Sequence, residues 1–138
     1  MREITSSDAH ILSEMHVQCF AEGWSEADFS QMLSTGMYFG FIADEGFVLG
    51  RAIFDEVEIF AICVLPEYRN RRIASDLLRL FNEKSRELNA IKIFLEVDVD
   101  NVIAQKLYLS NGYEKISERH NYYGKNSAVI MCYNLTKN

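Results

Sequence analysis

The sequence predicts an α/β (α+β) protein in which a mixed central sheet has helices on both faces, giving a three-layer α/β/α sandwich. Strand-like and helix-like segments alternate along the whole chain. One nearly continuous apolar run has the length of a buried central strand, and the longest amphipathic segment follows it directly. From these observations we expect a sheet of about six to seven strands and about four helices.

Length and composition limit the class of protein. The chain has 138 residues, of which 49% are hydrophobic and 25% charged. That size suits one domain with a full core, so we expect residues 1–138 to form a single domain. The opening residues do not resemble a signal peptide, and no apolar run approaches the roughly 18 residues of a membrane span. The prediction is a soluble, cytoplasmic protein with no membrane partner.

Charge and cysteine content narrow the possible functions. The net charge of −6 disfavours nucleic-acid binding and suits a basic substrate. Cys19, Cys63 and Cys132 are odd in number, widely spaced and set in apolar surroundings. They predict reduced core thiols rather than disulfides or a zinc site. The three histidines indicate no metal triad, and we expect them to be structural or on the surface.

The first part of the chain supplies a short strand, two helices and a hairpin. Residues 6–20 carry apolar side chains at helical spacing behind a Ser/Asp start. Ser25, with Asp28 three residues later, has the capping-box pattern and begins a second short helix. Residues 37–54 then predict two strands joined at the turn Asp44-Glu45-Gly46.

The middle of the chain combines an apolar strand with a basic turn. Residues 57–65 predict a central strand buried on both faces, which a proline ends. Beyond it, Arg69, Arg71 and Arg72 precede a helix that begins at Ile73 and continues for about four turns. Unpartnered N–H groups and the positive end of the dipole make a helix N-terminus an anion site, usually for phosphate. A solvated charge run is the alternative explanation of the arginines.

The last part of the chain adds a strand with two distinct faces, a helix and two further strands. Residues 91–99 alternate in polarity, which places Glu96 on the face opposite to Leu95. Asn101 is the expected cap of the next helix, and Asn111-Gly112 is its expected end.

This succession of motifs resembles the GNAT superfamily of acetyl-CoA-dependent N-acetyltransferases. The hairpin, buried strand, arginine-rich turn, long helix, "LEV" strand and "NVIAQKLY" helix followed by "NGY" occur in the family's order. The resemblance extends from "WSE" at position 24 to the end of the chain. It is strongest to the bacterial ribosomal-protein alanine N-acetyltransferases, which carry the run "NYY" found here at Asn121, Tyr122 and Tyr123. It implies transfer of an acetyl group from acetyl-CoA to a primary amine, with a protein N-terminal α-amine as the first candidate.

The resemblance also implies a coenzyme site. Backbone groups at the end of the buried strand would bind the pantetheine arm, and the arginine-rich turn would hold the pyrophosphate. The turn follows the family pattern Gln/Arg-x-x-Gly-x-Gly/Ala, except that an arginine stands in place of the first glycine. The implied coenzyme-binding residues are Ile62, Cys63, Val64, Arg69, Asn70, Arg71, Arg72, Ile73, Ala74, Ser75, Asn101 and Tyr108.

The departure from the pattern at Arg72 has a cost that depends on its backbone angle. Glycine at this position permits φ > 0 and a close approach of the backbone to phosphate. An arginine costs little if φ is negative, whereas a positive φ costs on the order of 1 kcal/mol or more. Because the arginine charge compensates for lost closeness, we expect coenzyme binding to be retained.

Acetyl transfer needs a base for the amine, a donor to the carbonyl oxygen and an acid for the departing thiolate. By resemblance, Glu96 is the general base, acting directly or through water, and Tyr108 is the general acid at the coenzyme sulfur. A backbone N–H near Val64 would polarise the carbonyl. Taken alone, Glu96 would be an exposed strand carboxylate and Tyr108 a half-buried helix aromatic. An α-amine, with a pKa near ~8 against ~10.4 for lysine, is the easier nucleophile to deprotonate.

The candidate acceptor-site residues are Trp24, Tyr122 and Tyr123. Core packing explains Trp24 at least as well, and in an aromatic-rich strand one of the two tyrosines is expected to belong to the core. Nearby acidic residues predict a negative field suited to a basic peptide, and a solvated acidic rim is the alternative. These acidic residues are Asp98, Asp100 and Glu118.

Two further functions stay open at this point. The chain could be a GNAT enzyme that acts on a lysine or on a small-molecule amine. It could also be a degenerate module that binds acyl-CoA without turnover, with the arginine in the pyrophosphate turn marking the loss. The presence of both Glu96 and Tyr108 favours the enzyme.

Overall fold

The computed structural model describes residues 1–120 and 127–136. Within these residues, seven strands form one sheet, four α-helices cover its two faces, and the predicted three-layer α/β/α sandwich is confirmed. The strands are β1 (Arg2–Glu3), β2 (Tyr38–Ala43), β3 (Gly46–Ile53), β4 (Glu56–Val64), β5 (Lys92–Asp98), β6 (Glu114–Arg119) and β7 (Ala128–Asn134). The helices are α1 (Ala9–Cys19), α2 (Glu26–Ser34), α3 (Ile73–Glu87) and α4 (Val102–Ser110).

The sheet has the strand order β1-β2-β3-β4-β5-β7-β6. Neighbouring strands are antiparallel, except that β4 and β5 are parallel. A parallel pair needs a crossover connection, and α3 supplies it. The predicted hairpin of β2 and β3 is confirmed, with its turn at Asp44-Glu45.

A partly buried ion pair fixes the opening strand to the first helix. Asp8 is buried, and Arg2 forks onto it with distances of 2.8 and 2.7 Å from the two guanidinium nitrogens to the two carboxylate oxygens. The same carboxylate accepts a hydrogen bond from the backbone N–H of Thr5 at 2.7 Å. These hydrogen bonds, the one from Arg2 foremost, lower the pKa of Asp8 to about 2.

The predicted cap of α2 is also confirmed. The Ser25 hydroxyl accepts the backbone N–H of Asp28 at 3.1 Å, and the Asp28 carboxylate accepts the backbone N–H of Ser25 at 2.9 Å. This reciprocal pair satisfies two donors that have no partner inside the helix.

Burial of the central strands differs from the prediction in one respect. Residues 57–65 do form most of a central strand, β4, but its side chains alternate between buried and half-buried. The strand buried on both faces is β3, in which the consecutive residues Phe47, Val48 and Leu49 are inaccessible to solvent. The prediction for β4 is wrong on this point because the second face of β4 borders open cavities at Glu58 and Phe60.

The long helix and the strand after it follow their predicted patterns. In α3, Leu77 and Phe81 are fully buried, as the 3.6-residue period requires. Leu88 follows the last helical residue and is 43% exposed, so it does not extend this buried face. Asn101 caps α4 by accepting the backbone N–H of Ala104 at 3.1 Å.

Two hydrophobic clusters occupy opposite faces of the sheet. One lies under α1 and α2 and contains Leu12, Phe29 and Phe47. The other lies under α3 and α4 and contains Phe81 and Leu95 together with their neighbours on β5 and β7. Because successive strand residues point to opposite faces, the same strands supply both clusters.

Cys19 and Cys63 are paired as a disulfide, with their Cα atoms 6.1 Å apart, inside the usual range for this bond. The prediction of reduced core thiols is therefore wrong for these two residues. The end of α1 packs over β4, which brings together two residues 44 positions apart, and local spacing carries no sign of that contact. Cys132 is a free, half-buried thiol, and burial raises its pKa.

The described helices are all too short or too polar to cross a membrane. Among residues 1–120 and 127–136, no group of three or more His, Cys, Asp or Glu side chains is arranged to hold a metal ion.

His16 is a structural residue of the first cluster. Its side chain is buried, and its Nδ1 atom accepts the backbone N–H of Trp24 at 3.0 Å. Its ring stacks on Phe20 and Trp24 with centroid distances of 4.4 and 4.6 Å. Burial lowers the pKa of His16 below its ordinary value of 6.5, because the charged form loses its hydration.

The titration of His16 predicts how stability depends on pH. The unfolded chain takes up a proton at His16 near pH 6.5 while the folded chain does not, so this residue makes stability fall as pH falls below that value. We expect His16→Gln to lower the free energy of unfolding by about 1–3 kcal/mol at pH 7.5. The further decrease of this free energy between pH 7.5 and 5.5 should be smaller in the variant than in the parent chain. Urea unfolding at both pH values measures the two effects.

His10→Gln is the matched control. His10 is exposed beside Glu14 and Glu26, and these carboxylates raise its pKa. Its contribution is therefore present at low pH and is lost as pH rises through the raised value, which is the opposite sign. If acid lowers the stability of the His16 variant as much as that of the parent chain, His16 is not the source of the pH dependence.

Candidate active site

The two parallel strands β4 and β5 pair only at their beginnings. Their register joins Glu56 to Lys92, Val57 to Ile93 and Glu58 to Phe94. β4 continues to Val64 and β5 to Asp98, yet within the described chain the pairing ends at the third of these pairs. The two strands therefore separate and leave an opening in the middle of the sheet, which we call the β4–β5 gap.

A β-bulge turns β4 away at this point. Gly50 pairs with Ile59 and Leu49 with Ala61, so Phe60 is an extra residue that bends the strand. At Gly50, an added Cβ would lie 2.5 Å from the Glu58 carbonyl oxygen and 2.5 Å from the Phe81 ring. The close approach of these groups requires glycine at this position.

Tyr108 lies on the α3/α4 side of the sheet. It is 6% exposed and packs in the cluster that contains Leu95 and Val97. Ile62 and Val64, at the end of β4, pack against the same cluster. Burial raises the pKa of Tyr108 to about 12, so its hydroxyl keeps its proton at neutral pH and can act as a donor.

Glu96 lies on the opposite side of the sheet. It follows Leu95 on β5 and therefore points away from the cluster that holds Tyr108. Its side chain is exposed, and Arg119 forks onto it with distances of 3.1 Å from Nε to Oε1 and 3.0 Å from Nη2 to Oε2. The predicted base and the predicted acid thus flank the sheet from its two faces.

A groove runs over the Glu96 side of the sheet. One cavity of about 430 Å³ is lined by Glu96, Phe94, Glu58 and Arg51. A second, of about 580 Å³, lies beside α2 and is also lined by Arg51. Because one side chain borders both cavities, we treat them together as the Arg51 groove. The carboxylates on its first half are Asp55, Glu56, Glu58 and Glu96.

Arg51 is held in place by aromatic rings. Its guanidinium carbon lies 5.1 Å from the centroid of Phe60 and 5.9 Å from that of Tyr38, distances at which a cation is attracted to a ring. Glu58 lies 3.8 Å from it. The buried Nε of Arg51 has no hydrogen-bond partner among the described residues.

Of the predicted acceptor residues, Trp24 lines the second cavity of the Arg51 groove. It also packs against His16 and Phe29, so its core packing is observed and its role in an acceptor site stays a prediction. Tyr122 and Tyr123 lie outside the described residues.

The structure adds carboxylates to those predicted to supply an acidic field. Glu118 pairs with Lys115 at 2.5 Å, and the Asp98 carboxylate accepts the backbone N–H of Asp100 at 2.8 Å. The field expected from Asp98, Asp100 and Glu118 stays a prediction, and the carboxylates that line the groove come mainly from the end of the β3–β4 hairpin.

The arginine-rich turn ends in left-handed backbone. Asn70 has φ 65° and Arg72 has φ 63°, so the strained alternative considered for Arg72 is the one observed. Arg72 is the N-cap of α3 and makes no side-chain cap. The first helical bond joins the Asp76 N–H to the Arg72 carbonyl, which leaves the preceding N–H groups, those of residues 73–75, without helical acceptors.

The three arginines have different neighbours. Arg69 donates from Nε to the Val64 carbonyl oxygen at 3.0 Å and so ties the turn to the end of β4. Arg71 lies over the ring of Tyr68 at 5.8 Å. Two of the three basic side chains thus contact protein groups, while the helix N-terminus beside them keeps the geometry of an anion site.

Three residues of this site were not predicted from the sequence: Arg51, Glu58 and Arg119. A hairpin turn at Phe54-Asp55 places residue 51 opposite residue 58, so the first two could have been found from the turn alone. No nearby sequence pattern predicts the contact of Arg119 with Glu96, because the contact crosses the strand β7.

Comparison with known proteins gives matches over most of the chain. The sequence profile of the Acetyltransferase (GNAT) family matches residues 9–113. A Bacillus subtilis (strain 168) protein that carries the provisional name of a ribosomal protein bS18-alanine N-acetyltransferase is 30% identical over 139 residues, covering 95% of this chain and 92% of the relative.

Two solved structures have the same fold. The crystal structure of the ribosomal-protein-S18-alanine N-acetyltransferase from Escherichia coli matches with a TM-score of 0.87 at 24% identity, over 99% of this chain and 93% of that one. Arabidopsis thaliana NAA60 in complex with acetyl-CoA matches with a TM-score of 0.82 at 20% identity, over 96% and 97% of the two chains.

The positive φ of Arg72 predicts the effect of glycine in this turn. Arg72→Gly removes left-handed strain of about 1–2 kcal/mol and adds unfolded-state entropy of about 0.5–1 kcal/mol. We expect its free energy of unfolding to be unchanged or raised by up to about 1 kcal/mol. Arg71→Gly is the control, because φ is not positive there, and it should be destabilised by about 0.5–1 kcal/mol. Equal destabilisation of both variants in denaturant titrations would show that Arg72 is unstrained.

Proposed function

The chain belongs to the acetyltransferase (GNAT) family, and we propose that it transfers the acetyl group of acetyl-CoA to the N-terminal α-amine of a protein, with a ribosomal protein as the acceptor class. The observation that carries the proposal is the position of Glu96 and Tyr108 on opposite faces of the sheet beside the β4–β5 gap. A thioester held in the gap would have a base on one side and an acid on the other. The names of the Bacillus subtilis and Escherichia coli relatives supply the acceptor class.

The coenzyme would bind on the α3/α4 side. We assign the pyrophosphate to the N-terminus of α3, with the N–H groups of Ile73, Ala74 and Ser75 as donors and Arg71 and Arg72 beside them. The pantetheine arm would follow the separated end of β4 at Ile62, Cys63 and Val64. The proposed coenzyme set is completed by Arg69, Asn70, Asn101 and Tyr108.

The backbone of the turn supports retained coenzyme binding. Arg72 adopts the left-handed conformation that glycine takes readily, so the turn keeps the shape of a glycine turn although the side chain is large. Strained backbone persists where the surrounding structure imposes it, and such residues concentrate at functional sites.

The proposed reaction forms the C–N bond, breaks the C–S bond and takes two protons from the amine nitrogen. Glu96 accepts the first proton from the protonated α-amine, directly or through water, and the free amine attacks the thioester carbonyl. As the tetrahedral intermediate collapses, the C–S bond breaks and Tyr108 donates its hydroxyl proton to the departing sulfur. The nitrogen then loses its second proton, which returns to the Tyr108 oxygen through solvent, and Glu96 releases its proton to solvent. A backbone N–H near Val64 would stabilise the carbonyl oxygen as it gains charge.

The Arg51 groove is the proposed acceptor site. It opens at Glu96, and its carboxylates suit a basic peptide. Trp24 lines its far half, and Tyr122 and Tyr123 stay proposed acceptor residues on the resemblance alone. An α-amine needs a weaker base than lysine does, since its reference pKa is lower by about two units, so a carboxylate base favours the N-terminal acceptor.

A coenzyme-release assay with matched peptides tests the proposed function. One peptide is basic with a free N-terminal alanine, the second has the same sequence with a blocked N-terminus and an internal lysine, and the third acceptor is a small amine. The proposal is supported if coenzyme is released with the first peptide and with neither of the other acceptors. Release with either other acceptor indicates the alternative substrate class, and acetyl-CoA binding without any release indicates a non-catalytic module.

Glu96→Gln tests the base. The amide keeps the size of the side chain but cannot accept the proton, so we expect turnover near pH 7 to fall by roughly 10²-fold or more with acetyl-CoA affinity unchanged. The loss should shrink as pH rises toward the pKa of the amine, because free amine then needs no enzymic base. Glu56→Gln removes a charge from the same cavity and is the control. Parent-like turnover with an unaltered pH profile in Glu96→Gln would defeat the assignment.

Tyr108→Phe tests the acid. Because the hydroxyl matters most as thiolate develops, turnover should fall by on the order of 10²-fold while acetyl-CoA affinity changes little. Tyr113→Phe is the control, since that buried hydroxyl donates to Asn82 at 2.8 Å and should affect stability rather than turnover. Equal losses of affinity and turnover in Tyr108→Phe would point to packing instead. Steady-state kinetics and calorimetry measure the two quantities.

A further inference from the structure

The side chain of Arg119 binds both oxygens of the Glu96 carboxylate. The fork is bidentate, with donor–acceptor distances of 3.1 and 3.0 Å. Arg119 is the last residue of β6, and the sheet order places β7 between it and the strand of Glu96. The contact therefore spans two strand spacings, and only a long side chain that lies along the sheet surface makes it.

The fork contributes little to the stability of the fold. The two side chains are 49% and 42% exposed, and ion pairs at such positions are typically worth about 0–1 kcal/mol. All six residues of β6 are exposed, so no core packing depends on the position of Arg119. The main effect of the fork is on the orientation of the Glu96 carboxylate.

The other groups around Glu96 do not fix its orientation. On its own strand Phe94 is apolar, and across the sheet Ile130 of β7 is apolar. On β4 and β3, Glu58 is a like charge, and Arg51 pairs with Glu58 at 3.8 Å. Among the described residues that line this cavity, no other side chain donates a hydrogen bond to the Glu96 carboxylate.

The fork leaves the carboxylate able to accept a proton. An ionised carboxylate has about four lone-pair sites, and the two N–H donors of Arg119 occupy two of them. A planar guanidinium sets both the rotation and the position of the carboxylate plane, which a single hydrogen bond does not.

We propose that Arg119 is a positioning residue for the acetyl transfer, which holds the Glu96 carboxylate in the orientation that receives the amine proton at the β4–β5 gap. This inference rests on the proposed function, because it assigns Arg119 a role through the base. It predicts that the loss of Arg119 lowers turnover without weakening the binding of acetyl-CoA, since α3 and Tyr108 lie on the other face of the sheet.

The test uses the complete chain with acetyl-CoA and the basic alanine peptide. We expect Arg119→Ala to lower kcat by about 10- to 10²-fold, as small misplacements of catalytic groups do. The KM of the peptide should change by less than about 3-fold. Guanidinium ion at millimolar concentration should restore part of kcat in this variant, while sodium chloride of equal ionic strength should not. Arg119→Lys should retain more activity than Arg119→Gln.

Lys115→Ala is the matched control, because Lys115 lies on the same strand and its ion pair with Glu118 does not involve Glu96. A kcat for Arg119→Ala equal to that of the parent chain, or an effect confined to KM, overturns the proposal. So does a loss that guanidinium fails to restore. Arg119→Gln answers the same question if the alanine variant does not fold.

Glu96→Gln separates this inference from the proposed function. If Glu96→Gln keeps parent turnover, the base assignment fails and the role of Arg119 fails with it. If Glu96→Gln loses turnover while Arg119→Ala does not, the base assignment stands and only the role of Arg119 is overturned. In the double variant, we expect no loss beyond that of Glu96→Gln alone and no effect of guanidinium, because the group to be positioned is gone.

Discussion

The early end of the pairing between β4 and β5 is the constraint on which the candidate site depends. Three residue pairs join the strands, after which the bulge at Phe60 turns β4 aside. A continuous ladder would close the sheet and separate the side chains of its two faces completely. On the proposed function, the gap would let Tyr108 from one side and Glu96 from the other serve one reacting centre. At the bulge, Gly50 leaves room for the Glu58 carbonyl and the Phe81 ring.

The arginine-rich turn adopts a backbone conformation that residues other than glycine disfavour. Left-handed backbone at Arg72 is unfavourable for a side chain of this size, yet it allows α3 to begin at Ile73 with its first N–H groups exposed. Arg69 ties the turn to the Val64 carbonyl, which joins the start of the helix to the end of the separated strand. The proposed pyrophosphate and pantetheine sites are therefore held in one rigid connection.

Local sequence patterns predicted the elements, because caps and periodicity act within a few residues. The capping box at Ser25, the cap at Asn101 and the alternation of β5 all depend on near neighbours, and each was confirmed. Long-range contacts were missed, since the pairing of Cys19 with Cys63 and the fork of Arg119 on Glu96 join segments that only the folded sheet brings together.

The candidate site was predicted unevenly for the same reason. Glu96 and Tyr108 were placed by a resemblance that covers the whole order of motifs, and the structure adds that they lie on opposite faces of the sheet. Strand order and curvature decide which side chains border a groove, so Arg51 and Glu58 emerged from the structure although their hairpin register was readable. The face of β4 was mispredicted because apolar composition does not reveal that one side borders a cavity.

The separation of Glu96 and Tyr108 by the sheet also affects how the two proposed substrates would enter and leave. On the proposed function, coenzyme arrives from the side of α3 and α4, and the acceptor chain arrives along the Arg51 groove. On that proposal the two entrances would lie on opposite faces of the sheet, so spent coenzyme could leave while a polypeptide still lay in the groove. The protein would then not need to release one substrate in order to admit the other, and concentration rather than obstruction would set the order of arrival.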